Sequence, residues 1–327
     1  MESNAVSSFV RRVVKNKTFG LFAILIAVFV AFSLINPNYG TASNITTILY
    51  SAAIGGILMI GFATLLISGN ADMSFAAVGT LAAIICCMLI NFGVPWPLAV
   101  LAALAVGAFC GALNAVIWYK FHIMPFIGTM GMSYIWAGLA AFITKNRPVL
   151  VDNTSFFKLG GPLLFGVIPI SFAYVIILIV IYGIMLSRTK FGRKVYMCGG
   201  NQFAARLSGV NIAKVGTIMM INCSMISAFG GVVLASRMHQ ITSDSLSMTL
   251  MNSMTGAFLG GISFGGGAGG MLGAFIGLLL LNFFNNGLII IGVGAYWQMF
   301  AQGVLLIIAL FVDGMNSRAG MKKLKAK

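Results

Sequence analysis

Charge is what this sequence has least of. Only 8% of its 327 residues are Asp, Glu, Lys or Arg, against about 25% in a soluble domain. So few charges cannot cover a water-facing surface, and 60% of the chain is hydrophobic. Most of it must face lipid or other helices. Acids are scarcest of all, with Glu2, Asp72, Asp152, Asp244 and Asp313 the full set. A carrier driven by protons or sodium places ionisable groups within the membrane, and only Asp72 is positioned for that. Also missing is a Gly-x-x-x-x-Gly-Lys-[Ser/Thr] phosphate loop, since the glycine-rich Gly265–Gly270 has no lysine after it. The cysteines, Cys86, Cys87, Cys110, Cys198 and Cys223, are odd in number and lack metal-ligand spacing. Neither a disulfide framework nor a metal site is expected, and no catalytic residues are assigned.

What the chain does have is long apolar runs separated by short basic segments. The net charge of +15 could suggest nucleic acid, but there is no soluble basic domain to carry that contact. A membrane helix needs about 20 apolar residues. By that measure the chain is an all-α polytopic membrane protein with about ten spans. They run over Phe19–Ile35, Ile48–Ser68, Met73–Asn91, Pro97–Trp118, Met124–Thr144, Gly166–Ser187, Val215–Ser236, Leu246–Ser263, Gly269–Leu288 and Ala295–Asp313. The glycine-rich Phe264–Gly270 between the eighth and ninth admits a re-entrant path. The first apolar run follows a basic stretch but is longer than a signal-peptide core, so an uncleaved span is expected. The whole chain, 1–327, reads as one transmembrane domain, with cytoplasmic segments at 1–18, 188–214 and 314–327.

Orientation follows the positive charge. With the N-terminus inside, sixteen of the 20 Lys and Arg fall on the cytoplasmic side, leaving Lys145, Arg147, Lys158 and Arg237 outside. Both termini are then cytoplasmic, with the chain in the inner membrane. Five spans per half would suit an inverted repeat of five plus five. Helices in lipid approach through small residues. Ala99, Ala103, Gly107, Gly111 and Ala115 form one such row, and Gly265, Gly269, Gly273 and Gly277 form another. Both predict tight packing, and in a transporter such rows could serve as sliding surfaces. Trp96, Trp297 and Trp118 suit interfacial anchoring, whereas Trp136 lies deeper.

The longest and most basic inner loop is Ser187–Lys214. Within it Asn201 can cap a short helix over Gln202–Ser208, with Gly209 just past its end. Phe203 and Leu207, four apart, would share a face able to enter a groove on a partner or to staple the helix to the membrane.

The segments Arg188-Thr-Lys-Phe-Gly-Arg-Lys-Val-Tyr, Gly199-Gly-Asn and Ala204-Ala-Arg-Leu-Ser-Gly-Val carry a resemblance. With Pro125-Phe-Ile, Leu234-Ala-Ser-Arg, Leu259-Gly-Gly-Ile-Ser and Asn285-Asn-Gly-Leu, they make the chain similar, over about residues 15–315, to permease subunits of bacterial ABC importers. The group is that of ribose, xylose, galactose and autoinducer 2. The chain departs from it at Ser68-Gly-Asn-Ala-Asp-Met-Ser, where Asn70 replaces a glycine, and at Gln202 and Phe203, where acids are common. The resemblance implies a second permease copy, an ABC-type ATPase subunit holding ATP and Mg, a periplasmic sugar-binding protein and a small sugar substrate. It also implies that Gly199–Gly209 contains the helix that couples to the ATPase. The coupling residues expected are Arg193 and Asn201, Gln202, Phe203, Ala204, Ala205, Arg206, Leu207, Ser208 and Gly209. A sugar path wants amides, hydroxyls and aromatic faces. The candidates are Asn70, Asp72, Trp136, Asn252, Asn282, Asn285, Asn286 and Gln298, with Asn114, Asn222 and Gln302 beside them. The competing reading is a secondary transporter or channel for a small polar solute.

Overall fold

Apolar runs punctuated by proline, glycine and short polar stretches fold into helices, and a computed structural model describes residues 17–325. The N-terminal segment expected at 1–18 and the final two residues of the tail therefore lie almost wholly or wholly outside the described residues. The first helices are α1 (Lys17–Ile35), α2 (Ala42–Ile67), α3 (Phe75–Asn91), α4 (Trp96–Phe121) and α5 (Pro125–Thr144). After the short α6 (Thr154–Phe157) come α7 (Ile170–Arg188), α8 (Lys190–Gly200), α9 (Gln202–Leu207) and α10 (Ile212–Met238). The last are α11 (Ser247–Leu259), α12 (Met271–Ile290) and α13 (Ala295–Lys325). Proline opens α4 and α5 within their first two positions, where its missing N–H costs nothing. Two-residue strands occur only in connections: β1 (Val149–Leu150) pairs with β4 (Gln240–Ile241), and β2 (Leu163–Leu164) with β3 (Ile168–Pro169).

Each expected span coincides with a helix, but not each helix is a full span. Among the described residues, seven helices are long and apolar enough to cross a membrane: α1, α2, α4, α5, α7, α10 and α12. α3 and the apolar part of α13, Ala295–Phe311, are shorter. α11 has 13 residues, about 20 Å of helix against a hydrocarbon core of about 30 Å. The reason is local, since the chain leaves the helix at Gly260 and runs irregularly to Gly270. The tail is not a separate segment at the backbone level either, because α13 continues to Lys325.

α10 forms the axis of the bundle, packed by α2, α3 and α4. The small-residue row of α4 explains that closeness. A methyl group added at Gly107 would lie 2.8 Å from the Ser224 carbonyl oxygen, and one at Gly111 2.7 Å from the Ile221 Cα. Two helix backbones therefore touch with no side chain between them. The second glycine row divides. Gly273 and Gly277 pack on Gly260 and Gly256 of α11, whereas Gly265 and Gly269 stand in the irregular segment, off any helix. α1 rests mainly on α12, where Phe29, Phe32 and Tyr39 meet Phe283 and Phe284. All five cysteines are buried and free.

The end of the bundle carrying α8 and α9 is the loop end below, and the opposite one the far end. At the loop end the link from α2 to α3, residues 68–74, is buried except for Gly69, which is only half-buried. Non-helical backbone at that depth is tolerated because protein surrounds it. At the far end Asn44 and Asn286 exchange amide hydrogen bonds of 2.9 and 3.0 Å. There, too, the Tyr39 hydroxyl donates to the Phe283 carbonyl at 2.7 Å, and the Arg237 guanidinium lies 3.8 Å over the Tyr50 ring.

Candidate functional site

The inner loop is built from two capped helices. Thr189 Oγ1 accepts from the Gly192 amide at 2.9 Å to open α8. Asn201 Oδ1 accepts from the Ala204 amide at 3.0 Å to open α9. α9 ends one residue sooner than its sequence predicts, at Leu207, and Gly209 takes the positive φ of 77° that a helix terminus asks of glycine. Ala205 is buried, while Phe203 and Leu207 are 72% and 76% exposed. Both large apolar groups of this short helix therefore point away from the bundle. Gln202, Ala204, Arg206, Ser208 and Gly209 are exposed too, as is Arg193 on α8.

α8 is the element that sequence reasoning missed. Its signal is the spacing of Phe191, Val195 and Cys198, which puts three apolar groups on one helical face; Val195 and Cys198 are buried. The helix is tied down hard. The Tyr196 hydroxyl donates to the Gly269 carbonyl at 2.7 Å. Gly199 sits against the Ile67 carbonyl and the Gly267 amide, which hydrogen-bond each other at 2.9 Å. Burial pushes the Tyr196 hydroxyl and the Cys198 thiol above their usual pKa values, so both stay neutral at physiological pH. α8 thus joins two segments far apart in sequence, 68–74 and 260–270.

Within the first of those segments lies the densest polar cluster. Asp72 is fully buried. Its Oδ1 accepts from the Ser74 amide and hydroxyl, both at 2.7 Å, and its Oδ2 accepts from Asn114 Nδ2 at 3.2 Å. Asn114 Nδ2 also reaches Ser74 Oγ at 2.7 Å, and Thr129 Oγ1 accepts from the Met73 amide at 2.9 Å. The carboxylate is held by neutral donors alone. Asn70 Nδ2 donates to Ser68 Oγ at 3.2 Å, and the Oδ1 atoms of Asn70 and Asn114 are buried without partners.

The other candidate path residues do not gather here. Gly256 of α11 lies against Leu278 of α12, and Asn252 and Asn282 follow one turn on along those paired helices. Asn282 Nδ2 donates to its own helix at the Leu278 carbonyl, 2.9 Å away. Asn252 Oδ1, Asn285 Oδ1 and Trp136 Nε1 are buried and unpaired. Asn286 is committed to Asn44, and Gln298 Nε2 donates to the Val293 carbonyl at 2.8 Å. Asn222 accepts from the Tyr182 hydroxyl, a contact across α7 and α10.

A family model described as the permease component of a branched-chain amino acid transport system matches residues 44–310. The chain belongs to this permease family. The ribose import permease protein RbsC of Escherichia coli strain K12 is 31% identical to the permease over 303 residues, covering 90% of this chain and 92% of that one. The galactose/methyl galactoside import permease protein MglC of Haemophilus influenzae is 30% identical over 329 residues, 92% of this chain and 97% of its own. For the autoinducer 2 import system permease protein LsrC of Enterobacter sp. strain 638 the figures are 30% over 309 residues, 94% and 90%. No solved structure matches the permease. It is thus a multi-pass membrane permease with a transport role rather than a catalytic one, and its apolar helices agree with a membrane location.

Proposed function

We propose that the permease forms the path by which a monosaccharide or related small polar solute crosses the bacterial inner membrane. A periplasmic binding protein delivers the solute, and a separate ATPase subunit holding ATP and Mg supplies the energy. One observation carries this reading: the similarity runs through nine-tenths or more of the chain to import permeases named for ribose, galactose and autoinducer 2. The family model's description names amino acids, so the solute class rests on those relatives. The shortage of acids and of a phosphate loop agrees with an external motor.

In this reading α9 is the coupling helix. Phe203 and Leu207 enter a groove of the ATPase, Arg193 and the exposed residues from Asn201 to Gly209 border that contact, and Ala205 anchors the helix to the bundle. α8 would pass movement of α9 to segments 68–74 and 260–270. All ten expected spans cross the membrane as one domain, the seven long helices together with the shorter α3, α11 and α13. The irregular backbone beside α3 and α11 completes their crossings, and both termini face the cytoplasm. A second permease copy completes the path. Unpaired amide oxygens on Asn70, Asn114, Asn252 and Asn285 can accept from sugar hydroxyls, and Trp136 offers a ring and a free N–H. Asp72, Asn282, Asn286 and Gln298 would reach the solute only by exchanging present partners.

The test is reconstitution. With its ATPase and binding protein, the permease should accumulate labelled ribose or galactose only when ATP is present. Concentrative uptake by this chain alone, under an imposed proton or sodium gradient, would favour the secondary-carrier reading instead.

A further inference from the structure

A cavity of about 500 Å³ opens at the loop end between the end of α4, the start of α5 and α9. Trp118, His122, Ile123 and Met124 line it from one side, and Gln202 and Arg206 from the other. Gln202 and Arg206 are four apart, so α9 turns this polar face to the cavity while Phe203 and Leu207 stay out of its lining. His122 closes α4 in the left-handed conformation, at φ 56°, which fixes its position at the mouth. Lys120 and Lys214 each stand within two residues of a lining position, and no carboxylate lines the cavity. Of the described acids, Asp152 and Asp244 lie in far-end connections, Asp313 is bonded at Ser263 and Phe264, and Asp72 sits in its own cluster, bonded to Asn114 one turn before Trp118. The side chains that line the cavity therefore include the basic Arg206 and no acid.

Two features go together here. An arginine with a histidine and an amide is the donor set that suits a phosphate group. Beside them Ile123 and Met124 are 43% and 68% exposed, at the foot of two helices whose outer faces are apolar. A free anion makes no use of that apolar wall, whereas an acyl chain does. Basic pockets between membrane helices on the cytoplasmic side suit anionic headgroups.

We propose that this cavity binds a phosphate group, that of an anionic phospholipid, with Arg206 and His122 on the headgroup and Ile123 and Met124 on the chain below it. A lipid seated there would brace α9 from behind. The placing of this end on the cytoplasmic side and that consequence for coupling rest on the function proposed above, whereas the binding itself needs no ATPase.

The permease alone, purified in detergent, is therefore the material to use. Native mass spectrometry would follow retention of added phosphatidylglycerol against phosphatidylcholine. The comparison is between the unaltered chain, Arg206→Gln/His122→Gln, and the charge-altered control Lys190→Gln/Lys194→Gln. His122, Arg206, Lys190 and Lys194 are all exposed, so folding is not at stake, and circular dichroism would confirm it. We expect phosphatidylglycerol to be preferred, and its retention to fall at least tenfold in the first variant and to persist in the control. Equal retention by all three, or equal loss in both variants, would overturn the site. In a parallel calorimetric titration with inorganic phosphate, binding that needs Arg206 while phosphatidylglycerol is not retained would overturn the lipid assignment.

Discussion

The two ends of the bundle are joined in different ways. At the far end, side chains join distant elements beside the short β1–β4 pairing: the Asn44–Asn286 pair, the Tyr39 hydroxyl on Phe283, and Arg237 over Tyr50. At the loop end such elements meet through backbone, with Gly199 pressed against Ile67 and Gly267. A side-chain joint can be loosened one group at a time, because water or a lipid headgroup can take over a lost partner. A backbone joint has no such reserve. Any atom added at its centre must push apart the three segments that it unites. The permease therefore has little room for added bulk where its loop meets the bundle.

The contrast is broken most directly at two neighbouring glycines. A Cβ at Gly199 would overlap the Ile67 carbonyl and the Gly267 amide, while one at Gly200 would meet nothing within 4 Å. Gly199→Val should cost about 3 kcal/mol or more, and Gly200→Val far less. Thermal stability in detergent, read by size-exclusion chromatography after heating, checks this. Equal losses would mean that the junction is not the rigid point.

A smaller effect on the fold, but a large one on transport, is expected from Phe203→Asp. Burying a large apolar group in a partner contributes about 1.5–3 kcal/mol, and the charge adds to its loss. The variant should insert and express normally, while ATPase association and uptake fall roughly tenfold or more. Lys322→Asp in the tail is the control for charge. Intact uptake in Phe203→Asp would make α9 a passive surface.

At the far end, Asn44→Ala, Asn286→Ala and the double variant form a cycle. Their coupling should be about 0.6 kcal/mol, the usual value for hydrogen bonds between membrane helices. A coupling above that of the loop-end junction would reverse the comparison. The smallest effect concerns Cys198. Burial raises its thiol pKa, so the thiolate is scarce at neutral pH. Maleimide labelling, followed by peptide mass mapping, should be slow at pH 7 beside a cysteine introduced at Leu207. It should keep accelerating as pH climbs past the ordinary thiol range, because the raised pKa delays ionisation.

What could be read from the sequence was whatever is decided within a few residues. α9 is an example, since its cap at Asn201 and the outward pair Phe203 and Leu207 all fall within seven positions. The row from Ala99 to Ala115 likewise needs only helical spacing to predict close packing. α8 is hard to see in the sequence because Lys190, Arg193 and Lys194 interrupt the apolar spacing of Phe191, Val195 and Cys198. Partners set by tertiary register stayed hidden. Nothing local tells that Asn286 is occupied by Asn44 from 242 positions away, or that Asn285 beside it is not. Hydropathy does not mark where a helix stops, so it predicts a longer α11 than the chain forms, and helical spacing places Gly265 and Gly269 on a face that the irregular 260–270 segment does not form.

The shortness of α11 has a consequence for how the protein is made. A segment of 13 residues containing Ser247, Thr249, Asn252, Ser253 and Thr255 is too brief and too polar to leave the insertion machinery for lipid unaided. Its glycine face matches only α12, which is synthesised after it. If α11 enters the membrane with α12 as a hairpin, it waits beside α2, where Ser253 Oγ donates to the Gly55 carbonyl at 3.0 Å, until α12 emerges. A nascent chain stopped just after Leu259 would hold that intermediate, with α11 still open to water-soluble probes.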